Sequence, residues 1–215
     1  MRFVDAGANY GYFTLLACGL VGPQGDALAV EANPAMADLL EASLGMNGMR
    51  ARSRVRRVAL AERSGTTLPF LVHVHRGNSR LLLPGEDGAA LASDGHRLLE
   101  VPLETLDEQF PRGTRVDVMK VDIEGAELPF WAGARRVLTE NPEIQVLMEV
   151  KGSRYADPAG YFEALRADGF VLRVLTKAGR IEDTSVEALV GGELCMLYLS
   201  RRASLPRRFA LGHGS

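Results

Sequence analysis

Cysteine is scarce in this sequence, and this scarcity excludes some kinds of site. Only Cys18 and Cys195 occur among the 215 residues, each within an apolar run. There is no CxxC pair and no cluster of cysteine with histidine, which argues against a structural zinc site. We therefore predict no metal centre, and we expect both cysteines to be small hydrophobic residues in a reducing, cytoplasmic setting.

Strong charge of one sign and long hydrophobic runs are also lacking. The formal net charge is −2, so no overall basic field draws the chain to nucleic acid or to a membrane surface. The apolar stretches are too short, or too often interrupted by glycine and charge, to span a bilayer. Residues 1–5 already have the pattern of a strand, so no signal peptide is expected.

Strands and helices alternate at the start of the chain. Apolar runs and helical spacing predict strands at 3–5, 26–32 and 55–60, and helices at 12–20 and 34–44. This β-α-β-α-β order is typical of a parallel sheet with helices packed on its faces. The same order returns later, with strands at 116–121, 144–150, 170–175 and 195–199 and helices at 126–138 and 158–167.

The middle of the chain, residues 65–103, has a different pattern. Alternating apolar residues predict strands at 66–74 and 98–103, and the segment between them is rich in glycine, alanine and aspartate. We interpret this region as a β-rich insertion after the third strand and as a candidate lid. Residues 1–200 are thus predicted to form one domain, followed by a basic, flexible tail at 201–215.

The turn after the first strand, Asp5 to Gly11, is rich in small residues. Such a turn lets a ligand approach the backbone at the carboxyl edge of the sheet, where α/β proteins bind ligands. Asn9 occupies the position where a dinucleotide fingerprint needs its second glycine. The Asp5 carboxylate would repel a pyrophosphate, but it suits the positive charges of S-adenosylmethionine.

Acidic residues follow two other strands at the same edge. Glu31 ends the second strand, where nucleotide-binding folds place an acid that accepts hydrogen bonds from ribose hydroxyls. Lys120 lies near the end of the strand at 116–121, and Asp122 and Glu124 follow it. These three charged residues exceed what a helix cap needs. We assign Glu127 to capping of the next helix.

Three further residues are candidates for proton transfer or substrate contact. His73 and His75 alternate on the inserted strand, so both point to one face and offer a general base for a hydroxyl. The pair is explained equally well if both histidines are ordinary polar residues on that face of the strand. Lys151 follows the strand at 144–150, where a solvated lysine is the simpler interpretation.

The chain resembles the FkbM-type methyltransferases in four segments: VDAGANYG at 4–11, VEANP at 30–34, NG at 47–48 and VMKVDIEGAE at 118–127. The resemblance implies a Rossmann-like class I methyltransferase fold: a mostly parallel seven-stranded sheet with helices on both faces. It also implies S-adenosylmethionine as methyl donor. The reaction would be O-methylation of a hydroxyl on a small molecule, such as a sugar, a polyketide or another secondary metabolite.

The same resemblance implies roles for individual residues. The methionine end of the cofactor would lie at Asp5, Gly7 and Asn9, with Glu31 on the ribose and Asn33 in the same cofactor-binding segment. Lys120, Asp122 and Glu124 would line the cofactor and substrate side. The family often has histidine or asparagine where this chain has Lys151. The resemblance therefore does not decide which residue acts as the general base, and Asp122, His75 and His73 are the candidates.

Two other functions fit the same pattern of strands and turns. One is an NAD(P)-dependent oxidoreductase, against which Asn9 and Asp5 argue. The other is a non-catalytic module that binds S-adenosylmethionine. The presence of Asp5, Glu31 and Asp122 argues against this second interpretation. The β-rich insertion is also a candidate contact between two copies of the chain in a homodimer.

Overall fold

The computed structural model describes residues 1–73, 79–82, 86, 88 and 96–204. Contacts within the chain divide it into two compact units, Met1–Asn141 and Pro142–Ser215. The Rossmann-like α/β fold class is confirmed, and the first unit contains its parallel strands. None of the helices in the described part of the chain combines the length and apolar character needed to cross a bilayer.

The first unit is built on four parallel strands, of which the first three are connected by helices. They are β1 (Arg2–Ala6), β2 (Asp26–Val30), β3 (Ser53–Arg56) and β8 (Val118–Val121), in the order β8-β1-β2-β3. Helix α1 (Tyr12–Leu20) joins β1 to β2, and α2 (Pro34–Met46) leads from β2 towards β3. Parallel pairing brings the carboxyl ends of β1, β2 and β8 to one edge, which is where the predicted site residues lie.

Local sequence explains where α2 begins. Asn33 caps it, since its side chain accepts a hydrogen bond from the Ala35 N–H at 3.1 Å, and Pro34 occupies the first helical position. The helix buries Leu40 and Leu44 against α1 and the sheet. The apolar cluster there consists of Phe3, Ala8, Ala17, Cys18, Val21, Ala27, Ala29, Leu40 and Leu44.

The predicted insertion contributes three strands to a second, four-stranded sheet, whose remaining strand lies just before the insertion. Its strands are β4 (Ala59–Leu60), β5 (Thr67–Val72), β6 (Arg80–Leu81) and β7 (Arg97–Glu104), in the order β4-β7-β5-β6. The single strand predicted at 55–60 is therefore wrong. The chain leaves the first sheet after Arg56, and Ala59–Leu60 pair instead with Leu103–Glu104 of β7. Only this long-range pairing distinguishes two short strands from one continuous apolar run.

The helix predicted at 126–138 is also two helices, α3 (Glu127–Gly133) and α4 (Arg135–Glu140). The chain departs from helical geometry at Ala134, which is fully buried. A Cβ added to Gly133 would lie 1.9 Å from the carbonyl oxygen of Ala61. Glycine at this position therefore allows α3 to approach the backbone of the β4 segment closely.

The second unit contains antiparallel strands, which the prediction of a mostly parallel sheet did not specify. Its strands are β9 (Gln145–Val150), β10 (Val171–Leu175), β11 (Ile181–Asp183) and β12 (Cys195–Ser200), in the order β11-β10-β12-β9. Helices α5 (Pro158–Ala167) and α6 (Val186–Val190) complete it. Buried Arg173 donates to the carbonyls of Arg202 and Ala203 and anchors the start of the predicted tail. Residues 205–215 lie outside the described residues.

Candidate functional site

A pocket opens in the first unit where the loops after β1, β2 and β8 meet. The empty space in it, including the open solvent at its mouth, is about 660 Å³. The lining residues are Gly7, Asn9, Val30, Glu31, Ala32, Asn33, Met36, Val58, Ala59, Leu60, Phe70, Ser79, Leu81, Asp122, Ile123, Glu124 and Ala126. The strand-end loops thus contribute a polar wall and the second sheet contributes an apolar one.

The described charged residues that line this pocket are all acidic. Glu31, Asp122 and Glu124 place three carboxylates on its wall, and no arginine, lysine or histidine is among the described lining residues. A pocket with this charge attracts a positively charged ligand and repels a phosphate or pyrophosphate. The geometry therefore favours S-adenosylmethionine, which has an ammonium and a sulfonium, over a nicotinamide dinucleotide.

Glu31 is held in one orientation by two backbone N–H groups. Its Oε2 accepts from the Asn9 N–H and its Oε1 from the Asn33 N–H, each at 2.7 Å. Burial raises the pKa of Glu31, and the two backbone hydrogen bonds partly offset this rise. Since each carboxylate oxygen has two acceptor positions, both oxygens retain capacity for a ligand hydroxyl.

Two non-glycine residues of the pocket wall have left-handed backbone conformations. Asn9 has φ 52° and Glu124 has φ 55°, a conformation that costs about 1–3 kcal/mol when the surroundings enforce it. The Asn9 side chain accepts from the Tyr10 N–H at 2.9 Å, which stabilises this turn locally. Such strain is common at ligand sites, so its occurrence on two loops of one pocket supports a binding role.

Asp5 and Lys120 form a buried ion pair next to the pocket. They are register partners on β1 and β8, and Lys120 Nζ lies 3.4 Å from Asp5 Oδ1. Asp5 is completely buried and its Oδ2 accepts from the Thr14 hydroxyl at 2.6 Å, whereas Oδ1 has no hydrogen-bond partner among the described residues. Burial raises the pKa of Asp5, and the charge of Lys120 opposes that rise.

Lys120 connects this pair to both loops of the pocket. Its Nζ donates to the Gly7 carbonyl at 2.8 Å and lies 3.4 Å from Asp122 Oδ2. The predicted residues of the two loops are therefore brought together by one buried cation. The structure places Asp5 behind the loop rather than among the lining residues, so a direct contact between Asp5 and the cofactor stays a prediction.

The two loops also touch through their backbones. Gly7 has φ +77°, and a Cβ added to it would lie 1.8 Å from the Asp122 carbonyl oxygen. The Asp122 N–H donates to the Ala6 carbonyl at 3.0 Å, and the Gly7 N–H donates to Val30 O at 3.0 Å. Glycine is therefore required at position 7 for both its conformation and its small size.

The predicted residues outside this cluster lie in different places. The Asn33 side chain caps α2 at the pocket edge. Glu127, in the first turn of α3, accepts from the N–H of Gly125, which precedes the helix, at 3.1 Å. The His73 ring stacks on that of His96 with centroids 4.0 Å apart, and His73 is not among the described lining residues. His75 lies outside the described residues. Lys151 follows β9 in the second unit and is partly buried.

Sequence reasoning missed the apolar wall of the pocket. Phe70 and Leu81 lie on β5 and β6, and Val58, Ala59 and Leu60 form the connection that leaves the first sheet. The alternation at 66–74 indicated that alternate residues of β5 share one face. It did not indicate that this face meets the strand-end loops, because that depends on pairing between β4 and β7.

A Rossmann-like unit with a pocket at the carboxyl edge of its parallel strands is typical of α/β proteins that bind a ligand at that edge. Within that class, the chain belongs to the family described as the methyltransferase FkbM domain, whose model matches residues 5–181. The family predicted from the four sequence segments is thereby confirmed. Membership implies S-adenosylmethionine as the methyl donor, and the acidic pocket fits that donor.

Individual relatives agree with this assignment. The chain is similar to methyltransferase sdnD of Sordaria araneosa, with 29% identity over 188 residues, covering 69% of this chain and 72% of the relative. It is also similar to the solved structure of methyltransferase FkbM from Methylobacillus flagellatus KT, with a TM-score of 0.54 and 16% identity. That match covers 92% of this chain but 43% of the other, and at this identity it supports the fold alone.

Proposed function

We propose that this protein transfers a methyl group from S-adenosylmethionine to a hydroxyl oxygen of a small molecule. The observation that carries the proposal is the pocket wall with three carboxylates and no described cation. Glu31 would bind the ribose hydroxyls, and the Gly7–Asn9 turn with Asp122 would face the methionine end. When bound, the cofactor supplies an electrophilic methyl group on its sulfonium.

The protein's own contribution is to position the acceptor and to remove its proton. Methyl transfer needs little covalent chemistry from the enzyme, so orientation and exclusion of water provide much of the rate. The apolar wall at Phe70 and Leu81 gives the acceptor a dry surface next to the carboxylates. We propose a small acceptor because the overall charge of −2 does not favour nucleic acid.

Of the two base candidates that the structure describes, Asp122 and His73, Asp122 lines the pocket. Its side chain is 31% exposed, and Lys120 Nζ, 3.4 Å from Oδ2, orients it. In the proposed step, a carboxylate oxygen of Asp122 would accept the proton of the acceptor hydroxyl, and the hydroxyl oxygen would form a bond to the methyl carbon. The bond between that carbon and the cofactor sulfur would break, leaving S-adenosylhomocysteine. His73 and His75 stay as alternative bases that the same experiment tests.

We expect Asp122→Asn to lower the rate of O-methylation by about 10²–10⁴-fold, the usual contribution of a general base. The assay would use S-adenosylmethionine with a ¹³C-labelled methyl group and a panel of hydroxylated sugars and polyketides, and product NMR would show whether the methyl carbon is a methoxy carbon. Binding of S-adenosylhomocysteine should change much less, so the loss should appear in kcat.

The matched control is Asp38→Asn, which makes the same chemical change at an exposed carboxylate paired with Arg57. Near wild-type turnover of Asp122→Asn would remove Asp122 as the base and transfer that role to His73 or His75. A methyl carbon on nitrogen or carbon instead of oxygen would contradict the proposed reaction, although the cofactor assignment would still hold.

A further inference from the structure

A second concave surface lies at the opposite edge of the parallel sheet, at the amino ends of β1, β2 and β3. Its empty volume, counted out to the open mouth, is about 710 Å³. We call it the amino-edge groove. It is lined by Arg2, Asp26, Ala51, Arg52, Ser53, Arg54, Gln109, Phe110, Pro111 and Thr114. Nothing in the proposed methyl transfer uses this groove.

The groove has the opposite charge to the cofactor pocket. Three of its lining residues, Arg2, Arg52 and Arg54, are cationic, whereas Asp26 is its only described carboxylate. Asp26 already pairs with Arg2, with Oδ1 2.8 Å from Nε. Arg52 donates to the Cys18 carbonyl and Arg54 to the Gln109 carbonyl, and in the described part of the chain neither has a carboxylate within 4.0 Å.

Two arginines that follow in the same segment do have carboxylate partners. The chain has arginines at 50, 52, 54, 56 and 57. Outside the groove, Arg56 pairs with Glu104, and Arg57 pairs with Asp38 and Glu41. A carbonyl oxygen satisfies one N–H but does not neutralise a guanidinium, so Arg52 and Arg54 keep their charges.

The groove is also partly preorganised. Arg54 Cζ lies 5.4 Å and Arg2 Cζ 6.0 Å from the centre of the buried Phe110 ring, so one aromatic side chain orients both guanidinium groups. Each carbonyl bond uses one edge of a guanidinium and leaves other N–H groups for a ligand. Planar guanidinium groups match the oxygen spacing of phosphate and bind it in a bidentate manner.

We propose that the amino-edge groove binds the phosphoryl group of a small molecule, at a site separate from the cofactor pocket. The ligand is a free phosphate or diphosphate, or a phosphorylated metabolite, since these share the dianionic oxygens that Arg52 and Arg54 recognise. A different role for such arginines is to deter pairing of the exposed edge strand β3 with another chain. That role requires no saturable ligand, so binding measurements separate the two.

The test is calorimetric titration of the full chain with inorganic pyrophosphate at low ionic strength. We expect saturable binding of one pyrophosphate per chain. In Arg52→Gln/Arg54→Gln the affinity should fall tenfold or more, because two charge-assisted hydrogen-bonding groups are removed. The control, Arg63→Gln/Arg166→Gln, removes the same charge at exposed ion pairs and should bind as the wild type does. A parallel titration with glucose 6-phosphate separates free from esterified phosphate.

Two outcomes would overturn the proposal: no saturable binding by the wild type, or an equal loss in both double variants, which would show a general charge effect. NMR of the unmodified protein gives an answer even if the double variant does not fold. Backbone amide shifts on addition of pyrophosphate should be concentrated at residues 51–54 and 109–114. Shifts concentrated at 7–9 and 122–124 would place the anion in the cofactor pocket and contradict the inference.

Discussion

Gly7→Ala is expected to abolish measurable binding of S-adenosylhomocysteine and to destabilise the fold by about 4 kcal/mol or more, a loss that few single substitutions reach. The added Cβ would lie 1.8 Å from the Asp122 carbonyl oxygen, which is backbone and has no rotamer to change. The Gly7 loop has little room to move, because its N–H is bonded to Val30 O and its carbonyl to Lys120 Nζ. Thermal unfolding and calorimetric titration measure the two effects.

Gly48→Ala is the matched control for this prediction. Gly48 also has a positive φ, +66°, but a Cβ there would meet nothing within 4 Å. It therefore incurs only the left-handed backbone cost of about 1–2 kcal/mol, and it should leave cofactor binding unchanged. If the two variants lost equal stability and Gly7→Ala still bound S-adenosylhomocysteine, the close contact between the two loops would have no functional role.

Lys120→Met is expected to destabilise the protein by about 3–5 kcal/mol, the usual effect of removing one partner from a buried ion pair. Asp5 is completely buried. Without Lys120, its carboxylate would lose its buried counter-charge, and of its described contacts the hydrogen bond from the Thr14 hydroxyl would remain. The Gly7 carbonyl and Asp122 would lose the cation that joins their loops. Urea-induced unfolding of wild type and variant measures the difference.

The pH dependence of this variant follows from Asp5. Burial raises the pKa of Asp5, and Lys120 opposes that rise, so the folded-state pKa should be higher still in Lys120→Met. A raised acid pKa gives a contribution to stability that is present below the unfolded pKa and is lost as the pH rises through the folded pKa. The instability of Lys120→Met should therefore be smallest in acid and grow towards neutral pH.

Asp5→Asn combined with Lys120→Met separates loss of charge balance from loss of packing. The double variant buries two neutral side chains, so it should be more stable at neutral pH than Lys120→Met alone, with a coupling free energy of about 0.5–3 kcal/mol as found for residues in contact. Additive losses from Asp5→Asn and Lys120→Met would instead show that the 3.4 Å ion pair contributes nothing.

Much of the polar wall of the site could be predicted from sequence because it depends on local patterns and one general property of α/β sheets. The helix predicted at 12–20 is observed with the same bounds, and Asn33–Pro34 marks the start of α2 as its capping chemistry indicates. Parallel strands bring their carboxyl ends to one edge. Glu31 and Asp122 were therefore expected near each other, and both line the pocket.

The rest depended on contacts that no local pattern contains. The apolar wall exists because Ala59–Leu60 pair with Leu103–Glu104, residues far away in the chain. The Asp5 carboxylate contacts Lys120, its register partner, and Thr14 near the start of α1, and neither contact follows from a local sequence pattern. The fold also decides which arginines of this segment have a counter-charge. It places carboxylates next to Arg56 and Arg57, whereas no described carboxylate lies within 4.0 Å of Arg52 or Arg54.

The central claim is that the acidic pocket binds S-adenosylmethionine through Glu31, and calorimetric titration with S-adenosylhomocysteine tests it most directly. NAD⁺ serves as the competing ligand, Glu31→Gln as the site variant, and Glu41→Gln, at an exposed carboxylate paired with Arg57, as the matched control. We expect saturable binding by the wild type with Kd of about 1 μM to 1 mM, and about tenfold or greater weakening in Glu31→Gln.

The pH dependence makes the same measurement more specific. Because burial raises the pKa of Glu31, the carboxylate takes up a proton at a higher pH than an exposed glutamate does, and wild-type affinity should fall as the pH is lowered through that value. Glu31→Gln should show no such dependence. Saturable S-adenosylhomocysteine binding with these properties, and none of NAD⁺, is the predicted result; a folded protein that binds NAD⁺ instead, or binds S-adenosylhomocysteine equally well without Glu31, would contradict the account.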